Sequence, residues 1–322
     1  MTIKYLVISG GGPVMFRAMG ALQKLEQEKF WIRENIKSIY GTSAGAFVAL
    51  VISLNYDWET VNKYFIERPW HEAFPITPVT LFDAFGKKGL YEKSVMRKIF
   101  KPLFDAKDIP LTITMKQFYD LTNIHLHFYT FELHKFEIVD ISYTTHPDVE
   151  ILDAVYMSCA LPIVFSPFIM EDKCYLDGGV RTNYPLNNCI ENDPEINTNE
   201  ILGFKNLYDD NSEYTSDIES ITSDSSSIID YVHLFFRKMV RNMDTENKQK
   251  QIKYEVTYEG RRLTLEYLQD VLSSQSIRSE LLHTGIEAAD NFLSCHDIKN
   301  NDEKEVIDRV NNLVQNGSEE LS

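Results

Sequence analysis

The chain has 322 residues, of which 43% are hydrophobic, and a formal net charge of -16 at pH 7. This length and composition are sufficient for a large buried core. The negative charge argues against a nucleic-acid partner, because neutralising phosphates requires clustered Lys and Arg, and it disfavours broad adhesion to anionic lipid.

The sequence contains no segment that predicts membrane insertion or secretion. Its longest apolar run, Ala46–Ile52, is shorter than the roughly 18 residues that cross a bilayer. The apolar run Tyr5–Ile8 is too short for the core of a signal peptide. We therefore expect an intracellular, cytoplasmic protein with reduced cysteines. The spacing of its four cysteines fits no metal site, so neither a metal nor an organic cofactor is expected.

The first part of the chain alternates predicted strands and helices. Residues 4–8 predict a short buried strand, and Ala18–Gln27 predict the start of an amphipathic helix after a glycine-rich loop. Lys37–Tyr40 predict a second strand, which stops at Gly41, and Ala46–Leu54 continue as an apolar helix. Strand, tight turn and helix in this order can present a side chain on a sharp turn.

Further strands and a helix follow in the middle of the chain. His125–Glu132 and Phe136–Ile141 predict two paired strands joined by a short turn. Asp153–Ala160 predict a helix, and Lys173–Leu176 predict a strand that leads into Asp177. Strands interleaved with helices predict an α/β fold of three layers, α/β/α, with a mostly parallel central sheet.

We expect a core over residues 5–190 and the remainder of the same globular unit over residues 191–295. Residues 207–227 carry six acids and no bases, which predicts an acidic surface insertion. Two further helices are predicted at Ile228–Met243 and Ser276–Leu293, and residues 296–322 predict a polar, acidic tail.

Ser43 lies at the centre of the pentapeptide Gly41-Thr42-Ser43-Ala44-Gly45. A strand that turns abruptly into a helix strains the backbone at the turn, and the flanking glycines leave room for neighbouring chain. The following helix directs its free amides and the positive end of its dipole toward developing negative charge. An ordinary glycine-rich turn has the same pattern, so the motif alone leaves both interpretations open.

The triple glycine Gly10-Gly11-Gly12 follows the first predicted strand, where open α/β sheets bind their ligands. Consecutive glycines allow backbone N–H groups to converge on an oxyanion. A dinucleotide-binding loop fits poorly, because the third glycine of its fingerprint is missing and Pro13 has no N–H for a pyrophosphate. A phosphate-binding P-loop also fits poorly, since no Gly-Lys-Ser/Thr follows.

Asp177 ends a predicted strand and is followed by Gly178 and Gly179. An Asp-Gly pair is by itself typical of a turn. A Ser-His-Asp hydrolase needs a histidine after the acid. The late histidines fall on predicted helices or in the tail: His233, His283 and His296. A carboxylate bonded directly to the serine hydroxyl can replace that histidine as general base if burial shifts its pKa.

In this order, these segments resemble the patatin-like phospholipases, lipid acyl hydrolases that use a Ser–Asp dyad. The resemblance covers roughly residues 5 to 190. It rests on Gly10-Gly11-Gly12 with Gly20-Ala21-Leu22, on the Ser43 pentapeptide, on Ala154–Phe165, and on Asp177–Val180 with Asn183 and Pro185. Leu281–Ala289 are similar to the helix that usually closes this fold.

The resemblance implies a patatin-like fold in which Ser43 is the nucleophile and Asp177 the general base. It also implies an oxyanion hole formed by the amides of Gly10, Gly11 and Gly12, and four supporting motif positions: Gly41, Gly45, Gly178 and Gly179.

The chain departs from the family pattern just after the triple glycine. A basic residue followed by a glycine is usual there, and this chain has Val14 and Met15. Arg17 is the candidate for an anion or lipid contact in their place. We expect Met15 to restrict the backbone of the loop and alter the oxyanion hole, which affects efficiency more than reaction type.

The resemblance also implies a membrane lipid or lipid ester as substrate and peripheral contact with a membrane. Residues 65–85 offer one such contact, as a lid or acyl-pocket wall, with ordinary core packing as the alternative. Their aromatic residues are Phe65, Trp70, Phe74, Phe82 and Phe85. The helix at 228–243 offers another, through an apolar stripe and a basic end, although a core-facing helix with a solvated basic face explains it more simply.

The sequence thus predicts phospholipase A-type hydrolysis of carboxylic esters. Two alternatives remain open: a transacylase that uses the same acyl-enzyme, and a lipid-binding relative with little or no activity. The lipid head group, the ester position and the oligomeric state are not determined by the sequence.

Overall fold

The computed structural model describes residues 2–75, 77–193, 195–207, 250–260 and 264–296. The predicted helix at 228–243 lies outside these residues, as do all but the first residue of the acidic insertion and of the tail.

Strands and helices alternate along most of the described chain. The strands are β1 (Tyr5–Ile8), β2 (Ser38–Thr42), β3 (Gly89–Tyr91), β4 (His125–Glu132), β5 (Glu137–Ile141), β6 (Ile163–Phe165), β7 (Phe168–Met170), β8 (Lys173–Asp177), β9 (Ile201–Leu207) and β10 (Tyr254–Glu259). The helices are α1 (Met15–Gln27), α2 (Ala44–Ser53), α3 (Trp58–Glu67), α4 (Trp70–Ala73), α5 (Pro78–Lys87), α6 (Ser94–Asp105), α7 (Met115–Thr122), α8 (Ile151–Cys159), α9 (Leu186–Asn192), α10 (Leu265–Ser273) and α11 (residues 275–296).

Eight of these strands form one central sheet. In it β10, β9, β1, β2 and β4 lie side by side and parallel. Both β5 and β8 pair with β4 in antiparallel orientation, and β7 pairs with β8 in the same way. The predicted α/β fold with a mostly parallel central sheet is confirmed.

β4 brings the ends of β2 and β8 together. β5 pairs with one edge of β4 along Phe128–Glu132. Both β2 and β8 also pair with β4 within that range, so they share its other edge. β2 runs parallel to β4 and ends with Thr42 opposite Tyr129. β8 runs antiparallel and ends with Asp177 opposite Thr130. Because Tyr129 and Thr130 are consecutive, the carboxyl ends of the two strands meet end to end.

The sheet buries apolar side chains on both faces. Leu6 and Ile8 of β1 join the main core, where α1, α2 and α8 pack. Every residue of α2 is buried, which explains why this helix is apolar on all sides. On the other face Val7 belongs to a smaller cluster that includes Leu186 and Cys189 of α9. Helices therefore cover both faces of the sheet.

The described residues after 190 share this sheet and core. β9 pairs with β1, and α11 crosses α1 at close range. A Cβ atom on Gly20 would lie 2.0 Å from the carbonyl oxygen of Leu282, and one on Gly285 would lie 2.0 Å from that of Arg17. Glycine at both positions allows the two helices to touch backbone to backbone.

The predicted elements that fall within the described residues are present with small shifts in their ends. β4 has the predicted limits, and the helix expected over Ser276–Leu293 spans residues 275–296. The segment 65–85, expected to form a lid or acyl-pocket wall or to pack in the core, contains the helix α4 and most of α5. None of the described helices is both long and apolar enough to cross a bilayer.

Candidate active site

Ser43 occupies the turn between β2 and α2. Its φ of 54° and ψ of −122° form a backbone conformation that residues with a side chain rarely adopt. The turn is held by the end of α8. The Ser43 N–H donates to Ser158 Oγ at 2.9 Å, and the Cys159 thiol donates to the Ser43 carbonyl with an Sγ–O distance of 3.1 Å. These contacts hold the strained turn and expose its side chain at the carboxyl end of the sheet.

Gly41 and Gly45 allow the turn to pack against neighbouring backbone. A Cβ atom on Gly45 would lie 2.1 Å from the carbonyl oxygen of Ile8, and one on Gly41 would lie 2.6 Å from the nitrogen of Ala46. Both glycines therefore leave room for the adjacent backbone, as the sequence pattern predicts.

The Ser43 and Asp177 side chains are in direct contact. Ser43 Oγ donates to Asp177 Oδ2 at 2.6 Å, and the Gly179 N–H donates to Asp177 Oδ1 at 2.7 Å. Asp177 is only 3% exposed. Burial raises the pKa of its carboxyl to about 6, although the hydrogen bonds from Ser43 and Gly179 act to lower it. Ionised above that pH, this carboxylate can accept a proton from the hydroxyl near neutrality.

The hydrogen bonds of Ser43 and Asp177 to the described residues include no histidine. His127, on the neighbouring strand β4, bonds through Nδ1 to Asp140 Oδ2 at 2.7 Å instead. The described site is therefore a serine–aspartate pair.

The glycine loop lies beside Ser43, and two of its three amides donate to no other residue that the structure describes. A Cβ atom on Gly10 would lie 3.1 Å from Ser43 Cβ. The Gly10 N–H already donates to the Asn183 carbonyl at 2.9 Å, whereas the N–H groups of Gly11 and Gly12 donate to no other described residue. Of the three predicted oxyanion donors, Gly11 and Gly12 therefore remain available.

Two asparagines hold the carbonyl of Gly10. The Nδ2 atoms of Asn183 and Asn206 each lie 3.4 Å from that oxygen. The Gly10 C=O and the Gly11 N–H belong to one planar peptide and point in opposite directions. Fixing the carbonyl therefore also fixes the direction of the Gly11 amide.

Met15 lies in the first turn of α1, next to the glycine loop. It starts α1 with an ordinary helical φ of −51° and ψ of −31°, while the left-handed position in the loop is Gly12, with φ 56°.

Arg17 does not line the apolar cavity beside Ser43 and Asp177. Its Nε donates to Thr284 Oγ1 at 3.1 Å and its Nη1 to the Glu259 carbonyl, so these contacts tie α1 to α11 and to the end of β10.

An apolar cavity of about 160 Å³ adjoins Ser43 and Asp177. Its wall is rich in aromatic side chains, among them Phe47, Tyr91 and Phe165.

The segment 65–85 divides into two parts. Phe65, Trp70 and Phe74 line the cavity, whereas Phe82 and Phe85 are 80% and 86% exposed. The predicted pocket wall thus accounts for only the first part of the segment.

We expect Ser158→Ala to destabilise the protein. Ser158 is fully buried, accepts from the Ser43 N–H, and donates to the Tyr129 carbonyl at 2.6 Å. Alanine removes both hydrogen bonds, which lowers the free energy of unfolding by about 2 kcal/mol. Urea denaturation measures the change.

Ser53→Ala is the matched control. Ser53 is also buried, but its hydroxyl donates to the Ala49 carbonyl one turn back in α2, which the helical N–H already bonds. A loss in Ser158→Ala no larger than in Ser53→Ala would show that Ser158 does not hold the turn.

The amino-acid sequence matches one family and two curated viral proteins. The sequence model of the family described as patatin-like phospholipase matches residues 6–190. "Probable lipid hydrolase 463L" of Invertebrate iridescent virus 6 is 29% identical over 192 residues, which cover 58% of this chain and 63% of that protein. "Uncharacterized protein R571" of Acanthamoeba polyphaga mimivirus is 26% identical over 184 residues, 57% of this chain and 60% of that protein. The chain thus spans less than two thirds of these relatives.

The fold is also similar to a solved structure. The crystal structure of VipD from Legionella pneumophila superposes with a TM-score of 0.53 at 17% sequence identity, covering 92% of this chain and 67% of that chain. At this identity the similarity concerns the fold alone, and it agrees with the α/β architecture described above.

Proposed function

The chain belongs to the patatin-like phospholipase family, and on that basis we propose that it hydrolyses carboxylic esters of lipids, with Ser43 as nucleophile and Asp177 as general base. The observation that carries the proposal is the 2.6 Å hydrogen bond between these two side chains, beside an apolar cavity. The iridescent virus relative is named a probable lipid hydrolase, which supports the same class of reaction.

In the first step Ser43 Oγ attacks the acyl carbonyl carbon while its proton passes to Asp177 Oδ2. The carbonyl oxygen becomes an oxyanion, and the free N–H groups of Gly11 and Gly12 donate to it. The amino-terminal end of α2, directly after Ser43, adds the positive end of a helix dipole. Preorganised donors of this kind are usually the largest single contribution to such catalysis.

In the second step the bond between the carbonyl carbon and the ester oxygen breaks, and Asp177 gives its proton to the leaving alcohol. The acyl group stays on Ser43 Oγ. A water molecule then attacks the acyl-enzyme and transfers a proton to Asp177. The bond between the acyl carbon and Ser43 Oγ then breaks, Asp177 returns the proton to Ser43 Oγ, and the free fatty acid leaves. These steps use only side chains and amides of the chain itself.

The cavity fits the acyl part of a lipid better than its head group. Its walls are almost entirely apolar, and its charged lining residues are Asp177 and Arg278. The guanidinium of Arg278 is already bonded to backbone carbonyls. An acyl chain in the cavity excludes water from Asp177 and so helps to maintain its raised pKa.

Fatty-acid release from a panel of phospholipids and neutral acylglycerols tests the proposal. We expect release from at least one of these classes by the native protein and none by the Ser43→Ala variant. A lysophospholipid added as acceptor distinguishes hydrolysis from acyl transfer, because transfer yields a diacyl product in place of free acid. Equal release by the native and Ser43→Ala proteins would exclude the proposed nucleophile.

The rate of hydrolysis is expected to rise with pH around 6. The pKa of Asp177 is about 6, and only the ionised carboxylate accepts the proton of Ser43. The value of kcat/KM should therefore fall about tenfold for each pH unit well below 6 and level off above it. A water-soluble short-chain ester is the appropriate substrate, since its own charge does not change. A profile that stays flat down to pH 4 would contradict the role of Asp177.

A further inference from the structure

Helix α5 carries the most exposed large apolar side chains of the described chain. Val79 is 68% exposed, Phe82 80% and Phe85 86%. Residues three apart lie along one side of a helix, so these side chains form one apolar stripe. Phenylalanine is usually buried, and a contiguous exposed apolar patch is typical of an interaction surface.

The stripe lies close to the cavity beside Ser43. Phe74 and Tyr91, which precede and follow α5 in the chain, both line that cavity. The Tyr91 hydroxyl donates to the Phe74 carbonyl at 3.1 Å, and their rings meet edge to face with centroids 5.1 Å apart. Both ends of the segment that carries α5 are therefore fixed at the cavity wall. α5 also contacts β3, which ends at Tyr91, so its apolar stripe lies near the cavity wall.

The charge around the stripe is balanced, whereas the whole chain carries -16. α5 and the residue that ends it, Lys88, carry Asp83, Lys87 and Lys88, and Glu92, which pairs with Lys87, brings the local charge to zero. Lys87 pairs with Asp83 and Glu92, whereas Lys88 forms no ion pair with the described residues. A free lysine beside exposed aromatic rings matches a phospholipid surface, because the rings enter the apolar layer and the ammonium reaches the phosphates.

We propose that the stripe formed by Val79, Phe82 and Phe85 docks the protein onto the surface of a zwitterionic phospholipid bilayer, with Lys88 at the level of the phosphates. The cavity then faces the bilayer, and an acyl chain passes from the lipid layer to Ser43 without crossing bulk water. The overall negative charge favours a zwitterionic surface over an anionic one. This inference rests on the proposed lipid ester hydrolysis, which it extends to the place where the lipid is taken up.

Partition onto phosphatidylcholine vesicles measures docking without hydrolysis when all proteins carry Ser43→Ala. The test variant adds Phe82→Ser and Phe85→Ser. We expect its partition coefficient to fall at least tenfold, because burying one phenylalanine corresponds to roughly a tenfold or larger change in an equilibrium constant.

The matched control adds Ile32→Ser and Leu121→Ser. These side chains are 45% and 58% exposed and precede β2 and β4, at the amino ends of the strands and therefore at the end of the sheet opposite Ser43. This control is expected to bind the vesicles as the parent protein does. Equal partition of the test variant and the control would overturn the proposal.

Activity separates docking from folding and from catalysis. In the catalytically intact protein, Phe82→Ser with Phe85→Ser should lower hydrolysis of phosphatidylcholine vesicles at least tenfold and leave hydrolysis of soluble p-nitrophenyl butyrate unchanged. A parallel loss of soluble-ester hydrolysis and thermal stability would show instead that the stripe packs against another part of this chain. A native dimer that the double substitution dissociates would show that a second copy covers it.

The outcome for docking is distinguishable from that for the proposed function. If the native protein hydrolyses no ester while its vesicle partition still depends on Phe82 and Phe85, lipid hydrolysis fails and the docking surface stands. If esters are hydrolysed and vesicle partition does not depend on Phe82 and Phe85, the docking proposal is wrong and the proposed hydrolysis stands.

Discussion

Replacing Asp177 with asparagine is expected to lower kcat for ester hydrolysis by about 10⁴-fold. Asparagine has nearly the same shape and still accepts the Gly179 N–H, but it cannot take the proton of Ser43. Ser43→Ala removes the attacking oxygen, and its rate should fall to that of the uncatalysed reaction. Initial rates with a soluble ester measure both changes. A rate within tenfold of native in either variant would contradict the dyad.

The same Asp177→Asn variant is expected to be more stable than the native protein at pH 8. The folded-state pKa of this carboxyl is about 6, above its ordinary value of 3.8. Ionising the carboxyl therefore costs more free energy in the folded protein than in the unfolded chain. Native stability therefore falls as the pH rises from about 4 to 6 and then levels off, a total of about 3 kcal/mol.

Urea denaturation at two pH values tests this sign. The gain in Asp177→Asn should be close to the full amount at pH 8 and much smaller at pH 4.5, where the native carboxyl is mostly protonated when folded. A variant less stable than native at pH 8 would show that the ionised carboxylate stabilises the fold. The expected result also shows that lost activity is not lost folding.

Arg278→Lys is expected to lower the free energy of unfolding by about 3–5 kcal/mol. Arg278 is only 2% exposed, and its guanidinium makes five hydrogen bonds to backbone carbonyls: Nε and Nη2 to Ile66, Nη2 to Arg68, and Nη1 to Val271 and Leu272. Those carbonyls lie at the carboxyl ends of α3 and α10, where backbone oxygens lack helical partners and the helix dipole favours a cation.

Lysine keeps the charge of Arg278 but cannot span four carbonyls, because its ammonium is a single point with three donors. Arg181→Lys is the matched control, since the Arg181 side chain bonds the Phe136 carbonyl in an exposed setting and its loss should stay within about 0.5 kcal/mol. Urea denaturation compares the two. A loss below 1 kcal/mol in Arg278→Lys would show that the two helix ends do not depend on this side chain.

Much of the fold follows from local sequence patterns. The strands β1, β2 and β4 are short apolar or alternating runs ended by glycine or turn residues, and α2 is an apolar run after a glycine turn. These patterns depend on neighbouring residues, so they can be recognised in the sequence without knowledge of the tertiary structure. The meeting of Ser43 and Asp177 was inferred from the order of the motifs. The register that produces it, with both strand ends opposite consecutive residues of β4, is a long-range property.

Exposure within the segment 65–85 could not be read from the sequence. Trp70 and Phe82 are both large and apolar, yet Trp70 is buried at the cavity and Phe82 is 80% exposed. Only the tertiary structure distinguishes them, because hydrophobicity predicts burial and not the lack of a covering element.

Polar positions that depend on distant partners were missed for a similar reason. Arg278 lies on the predicted helix Ser276–Leu293, where an arginine is typical of a solvated face, and Ser158 lies within an apolar run. The three glycines Gly10-Gly11-Gly12 are equivalent in sequence, but the Asn183 carbonyl occupies the Gly10 amide. Each outcome depends on a hydrogen bond across the fold.

Reaction with a fluorophosphonate, followed by peptide mass spectrometry, tests the central claim most directly. We predict one phosphonyl adduct per native chain, on the peptide that contains Ser43, with no adduct in Ser43→Ala and a strongly slowed reaction in Asp177→Asn. An adduct on a different residue, or equal labelling rates in the native and Asp177→Asn proteins, would contradict the assignment of a nucleophile activated by this aspartate.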